Sequence, residues 1–415
     1  MRSAFKIRHA VVFLAGFTAL TAWGSKHEKV EGPAPAVRIV TAPLGYYPLS
    51  SFYLMGRTSS VSLDFIDNDH LLFTFRVPGL LKRMQECKSD DEDQVIRAMV
   101  LHLPDGAVER SMDWRMHDRA RYLWALRNGK FLVRQRDMLL TTDAKLELQP
   151  YLQSPTPIRL VKLSPGGQLL LVESDLEKHS EEEHRRLEQE AELNGLSSPR
   201  EDVQMSILRL ADGVTVGHAR ALNPTDVPLI ESGFLEALSG KGDHWMLRYR
   251  PFKGEPSNVA DLASSCHPNE NPVNDKTVFV SLCPNGSSNH IFEAISLDGK
   301  TLWSYKWDSH FIWPTMAAAD NGQRVAFSTL RVARPLSSID PFDESELQGQ
   351  RIEVLDVESG RLDLTEFATP MLSGGQNYTL SPDGNRFAVL RENAIEIYDL
   401  PPSPPVLAAA SRTAE

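Results

Sequence analysis

One local pattern recurs along most of the chain and constrains its fold more than any other feature: a turn rich in Gly, Asn, Asp or Pro, then a short apolar strand. The clearest copy is Ser381-Pro382-Asp383-Gly384, followed by Arg386-Phe387-Ala388-Val389-Leu390 and, after a second turn, by Ala394-Ile395-Glu396-Ile397-Tyr398-Asp399-Leu400. Proline presets the first dihedral of such a turn, and glycine takes a positive φ at no steric cost. Ile395 and Ile397 alternate with Glu396 and Tyr398, the period of two of a half-buried strand. Six weaker copies are Asp67-Asn68-Asp69 before residues 71–75, Asn128-Gly129 before 131–133, and Ser164-Pro165-Gly166-Gly167 before 169–172. The others are Gly240-Lys241-Gly242 before 245–247, Asn274-Asp275 before 278–280, and Asp320-Asn321-Gly322 before 325–327.

A second kind of turn follows several of these copies: Leu103-Pro104-Asp105-Gly106, Leu210-Ala211-Asp212-Gly213, Leu297-Asp298-Gly299-Lys300 and Val357-Glu358-Ser359-Gly360. Asp-Gly between alternating apolar residues is a strong hairpin signal. Two hairpins per unit give four strands per unit. The pattern therefore predicts an all-β fold, a β-propeller of seven four-stranded blades within residues 25–400. Four polar stretches interrupt it, at 80–95, 175–203, 253–274 and 333–349. Setting these aside leaves about 44 residues per unit, inside the usual blade period. The stretch at 175–203 carries a predicted helix, with Ser180 and Glu183 as a capping box and Gly195 suited to its end.

The last unit is one strand short, because Pro401-Pro402-Ser403-Pro404-Pro405 cannot extend a ladder that needs a donor at each residue. The N-terminal run Val37-Arg38-Ile39-Val40-Thr41 has strand character and is expected to supply the missing strand and close the ring. Residues 401–415 are read as a Pro-rich disordered tail.

Before residue 25 the pattern is of another kind. Arg2, Lys6 and Arg8 precede an apolar stretch from Ala10 to Trp23, and Ala22-Trp23-Gly24 offers small residues at a cleavage point. This reads as a secretory signal, too short to span a bilayer comfortably, or as the same segment retained. The chain is thus expected to be exported, to the periplasm or beyond the cell, with no membrane span in its mature part. Losing residues 1–24 takes 44 basic against 55 acidic residues to 41 against 55, or −11 to −14. A chain so acidic, without a basic stripe, is unsuited to a phosphate backbone, which excludes nucleic acid as a partner. In an oxidising compartment Cys266 and Cys283 can pair, closing a loop worth roughly 3 kcal/mol of chain entropy, or stay as buried thiols; Cys87 has no evident mate.

The SPDG turn at 381–384, matched in part at 164–167, resembles the WD40-like, TolB-like and YVTN-type bacterial propeller superfamily, a resemblance that implies fold and not function. Residues 294–303 (AISLDGKTLW) look like a quinoprotein-type blade, but they occur once, so no cofactor is expected. No nucleophile elbow, His-Glu-x-x-His, phosphate loop or Cys-x-x-Cys is present, and no metal site is predicted. One correspondence does point to a site. Trp114-x-x-His117 and Trp307-x-x-His310 stand at equal distances before Asn128-Gly129 and Asn321-Gly322. This predicts that both histidines sit ahead of innermost strands, at the mouth of the central funnel, with Asp118, Arg119, Asp308 and Trp313 nearby as candidate ligand-binding groups. Two functions are compatible with this reading: a non-catalytic binding or scaffold protein for a protein, peptide or glycan, or a funnel-site hydrolase or lyase acting on a saccharide, metal-assisted or not.

Overall fold

The computed structural model describes residues 33–48, 61–78, 94–116, 121–176, 180–193, 202–222, 227–284, 290–307, 310–336, 343–372, 374 and 376–402; the N-terminal leader and the tail beyond 402 lie outside them. Chain order begins with β1 (Val37–Val40). Blade 1 is β2 (Val61–Phe65), β3 (His70–Val77), β4 (Gln94–His102) and β5 (Val108–Met116). Blade 2 is β6 (Leu123–Ala125), β7 (Phe131–Gln135), β8 (Met138–Thr142) and β9 (Gln149–Gln153). Blade 3 is β10 (Ile158–Leu163), β11 (Leu169–Asp175), β12 (Asp202–Arg209) and β13 (Thr215–Leu222), with helix α1 (Glu181–Leu193) between β11 and β12. Blade 4 is β14 (Leu229–Ile230), β15 (Gly233–Ser239), β16 (His244–Pro251) and β17 (Ser257–Ala263). Blade 5 is β18 (Asn269–Pro272), β19 (Thr277–Leu282), β20 (His290–Ser296) and β21 (Thr301–Trp307). Blade 6 is β22 (Phe311–Ala318), β23 (Arg324–Val332), β24 (Leu347–Asp356) and β25 (Leu362–Ala368). Blade 7 is β26 (Tyr378–Leu380), β27 (Arg386–Arg391) and β28 (Ala394–Asp399).

Among the described residues these strands form seven four-stranded antiparallel sheets, and the fourth strand of blade 7 is β1. Val37 pairs with Ile397, Arg38 with Glu396, Ile39 with Ile395 and Val40 with Ala394. Ala36 N–H donates to Ile397 O and Thr41 N–H to Asn393 O, both at 2.8 Å, extending the ladder at either end. The ring is closed by its own N-terminal strand, on the residues whose strand character suggested it.

Why the strands read as they do follows from where the core lies. The buried side chains fall into seven clusters, each shared by two adjacent blades. A middle strand therefore buries both its faces. Leu71, Leu72 and Phe73 are all fully buried, the first and third against β1 and blade 7, Leu72 against blade 2. Such strands appear in the sequence as unbroken apolar runs. Outer strands bury less: in β17 only Val259 and Leu262 are buried, with Ala260 partly covered.

Successive strands run up and down, so connections from first to second and from third to fourth strands gather at one end of the ring. The remaining connections gather at the other. The first end carries only short turns, none longer than 143–148, and they interlock. At Asn128-Gly129 both residues have positive φ (62° and 65°), the Asn-Gly hairpin geometry. A Cβ on Gly129 would sit 2.9 Å from Ile66 O of blade 1. Arg386 Nη1 donates to Asn68 O (2.9 Å), Asn274 Nδ2 to Gly322 O (3.0 Å) and Asn321 Nδ2 to Asp383 O (2.5 Å), each bond crossing to a neighbouring blade. At the other end run four long connections: 41–60 from β1 to β2, and 78–93, 176–201 and 333–346 between second and third strands.

Two readings of the sequence need correction. Residues 253–274 are no insertion: they hold β17 and β18. An outer strand with two buried apolar residues and an inner strand of Asn-Glu-Asn-Pro lack the apolar run that betrays a strand. Pro272 is tolerated because β18 is an edge strand along the axis. The turn 240–243 joins the second and third strands of blade 4, out of phase with the other six copies; the true equivalent is the tight turn at Glu231-Ser232. Helix α1 begins directly after Ser180, whereas the Glu183 side chain and Gly195 lie outside the described residues.

Candidate functional site

The innermost strands β2, β6, β10, β14, β18, β22 and β26 line the axis of the ring. Asp64 interrupts an otherwise buried β2 and is only partly covered. Arg121, just ahead of β6, keeps solvent contact. Protein nevertheless surrounds both, and burial is the largest influence on each. It pushes the Asp64 carboxyl up to about 6, against the lowering effects of the Ser62 hydroxyl, which donates to Oδ2 at 2.7 Å, and of the Arg121 charge. Burial lowers the Arg121 pKa, opposed by the Asp64 charge. Arg121 Nε donates to Leu123 O (3.2 Å), and its guanidinium lies 5.3 Å from the centre of the Trp124 ring.

Two tyrosines complete this wall. Tyr122 shares a 2.6 Å hydrogen bond with Thr74 Oγ1, and Tyr378 a 2.9 Å bond with Thr315 Oγ1; burial raises both phenols. Behind Tyr378, Gln350 and Asn377 are fully buried and bonded to one another. Asn377 Nδ2 donates to Gln350 Oε1 (2.8 Å) and Pro370 O (2.6 Å), and Gln350 Nε2 donates to Ser328 Oγ (2.9 Å). Asn377 heads an Asn-Tyr-Thr sequon, and in the folded chain its amide is committed and closed to a glycosyltransferase.

A carboxyl raised to about 6 within electrostatic reach of a guanidinium can hold a polar ligand or move a proton. The carbon-13 shift of the Asp64 carboxyl is expected to titrate with a midpoint near 6. In Arg121→Met the midpoint should rise further, because a nearby positive charge favours the ionised form. A midpoint near 4 in the unaltered protein would show that Asp64 is ordinarily hydrated.

Of the residues singled out in the sequence, His117, Asp118, Arg119 and Asp308 lie outside the described residues, as do the side chains of Trp307 and Trp313. His310 stands directly before β22, half-buried, its carbonyl accepting from Val332 N–H at 2.8 Å. Trp114 is a core residue between blades 1 and 2 and donates through Nε1 to Leu146 O (3.0 Å). Trp303 likewise packs in the seam of blades 5 and 6 and donates to Val357 O (2.9 Å). Cys266 and Cys283 form a disulfide, Cα atoms 5.6 Å apart, which ties the connection 264–268 to the end of β19 at the loop-bearing end. Among the described residues no three His, Cys, Asp or Glu side chains gather as metal ligands, and no helix is long and apolar enough to cross a membrane. Asp64 and Arg121 were missed in the sequence. The one signal for Asp64 is a charge inside a strand whose other residues are buried.

No family model and no curated protein matches the chain. Among solved structures it is similar to the Pyrococcus horikoshii acylaminoacyl peptidase, with a TM-score of 0.49 and 9% identity, over 83% of this chain and 52% of that one. It therefore spans about half the length of that peptidase. The β-propeller domain of the Trilobed protease from Pyrococcus furiosus aligns with a TM-score of 0.45 and 9% identity, over 83% of this chain and 96% of that one. A putative TolB from Agrobacterium tumefaciens aligns with a TM-score of 0.35 and 11% identity, over 71% and 95%. These are likenesses of fold. The chain is a seven-bladed β-propeller.

Proposed function

We propose that this chain is an exported, non-catalytic binding protein that presents the loop-bearing end of its ring to a protein, peptide or glycan. The observation that carries the reading is the asymmetry of the two ends. The three long connections between second and third strands, 78–93, 176–201 and 333–346, leave from the same end as the 41–60 link from β1 to β2, and the other end carries only tight turns. Long connections on a rigid scaffold are where recognition surface is gained without cost to the core. The disulfide between Cys266 and Cys283 staples the same end, which suits a protein working in an oxidising compartment.

The test is to replace the three connections with short Gly-Ser turns and compare capture of a partner from the native cell envelope. The shortened protein should keep its unfolding midpoint within a few degrees and bind the captured partner at least tenfold more weakly. Equal binding by both proteins would overturn the reading. The second reading, an enzyme working in the funnel, is favoured by the Asp64–Arg121 pair alone. Turnover of a saccharide that stops in Asp64→Asn would establish it.

A further inference from the structure

At the opposite end, between blades 2 and 3, a groove of about 710 Å³ opens beside the turns, a volume in the range of small-ligand sites. Four cations line it: Arg127, Lys130, Lys145 and Arg209. Arg209 is neutralised by Asp212 (2.8 Å). Lys130 and Lys145 are exposed and make no side-chain ion pair among the described residues. Arg127 is half-buried; its Nη2 donates to Pro165 O (3.3 Å), while its Nε is buried with no acceptor among the described residues. Against these stand Asp143, whose Oδ1 already accepts from the backbone N–H of Lys145 (2.8 Å), and Glu147. In a chain of net charge −11 this groove carries more positive than negative side chains.

The rest of the lining is polar and planar. Asn128, Gln149 and Gln168 offer amide donors and acceptors, and the half-buried Tyr151 ring is held by its hydroxyl, which donates to Leu210 O at 3.2 Å. Amides suit adjacent hydroxyls, an aromatic face suits the C–H face of a pyranose, and cations suit a carboxylate. Toward the axis the groove meets a second hollow lined by Asp67, Asp143 and Asp320, so an anion is confined to the seam.

We propose that this groove is a binding site for an acidic saccharide, its uronate carboxylate held by Arg127, Lys130 and Lys145 and a sugar ring laid against Tyr151. The site is separate from the loop-bearing end, and it stands or falls independently of the function proposed there.

The probe is a trigalacturonate, titrated calorimetrically into the protein in 20 mM salt. One site per chain is expected, weakened severalfold in 0.5 M NaCl through screening. The double variant Lys130→Ala, Lys145→Ala should lose at least tenfold in affinity with an unchanged unfolding midpoint, since both lysines are exposed. Tyr151→Leu should weaken binding while leaving its salt dependence intact. Equal binding of neutral galactotriose, of a glutamate tripeptide or of inorganic phosphate would overturn the assignment to an acidic sugar. So would affinity unchanged in the double lysine variant, or no heat at millimolar trigalacturonate.

Discussion

A chain that begins at Leu44 is expected to unfold far more readily than one that begins at Pro33, because it lacks β1 and its ring stays open. Ile39 is buried in the cluster shared by blades 7 and 1, among Leu63, Leu101, Leu390 and Ile395. It also fills the space a side chain on Gly106 would take, with its atoms 2.7 Å from that position. Burying one such side chain contributes roughly 1.5–3 kcal/mol. The ladder bonds to β28 add net terms of about 0.5–1.5 kcal/mol each. The deletion should therefore cost on the order of 5 kcal/mol, read as an earlier urea midpoint. It should also leave β28 as a bare edge and promote self-association. Ile39→Ala, which keeps the ladder, should lose about 2–4 kcal/mol. Coincident unfolding curves for the two chains would mean that closure by β1 adds nothing to stability.

The second large effect is expected at Arg324, at the start of β23. The side chains of Arg324 and Asp363 are both 1% exposed and are joined by a 2.8 Å bond from Nε to Oδ2. Arg324 Nη1 donates to Gly384 O (2.5 Å) and Nη2 to Pro401 O, so one guanidinium ties blade 6 to the turn of blade 7 and to the residues after its last strand. Arg324→Met strands two carbonyls and leaves Asp363 with Arg361 alone, whose Nε donates to Oδ1 at 2.7 Å. Breaking one side of a buried pair costs about 3–5 kcal/mol, and that loss is expected in urea unfolding. Removing the second charge as well, in Arg324→Met with Asp363→Leu, should restore more than half of it, because the buried carboxylate that lost its buried guanidinium is then gone. A single variant within 1 kcal/mol of the unaltered protein would show that the pair is not a structural tie.

Turn chemistry made much of this architecture legible. Asn128-Gly129, Asp320-Asn321-Gly322 and Ser381-Pro382-Asp383-Gly384 each stand between the first and second strands of a blade, because few residues accept the positive φ needed there. Blade 4 hid its phase. Its first hairpin turns on Glu231-Ser232, which carries no Gly or Asn, while Gly240-Lys241-Gly242 announces the next connection. The polar β17 and β18 were hidden for a related reason, since strands at the rim and the axis pack on fewer neighbours and need fewer apolar residues. The candidate site was least legible of all. Asp64 and Arg121 come from different blades and are brought into electrostatic range only by the curvature of the ring, which no spacing within one repeat encodes.

Closure by β1 also decides how the ring would stand on a support. Strand β28 runs toward the end that carries the short turns, and β1, antiparallel to it, starts there. The described chain thus enters at Pro33 and leaves at Pro402 on that same side. A support joined directly at Pro33 or at Pro402 would hold the ring like a dish on its stem, with the loop-bearing end outward and open to a large visitor. The groove of blades 2 and 3 would then face the support, reached only by something small or already part of it.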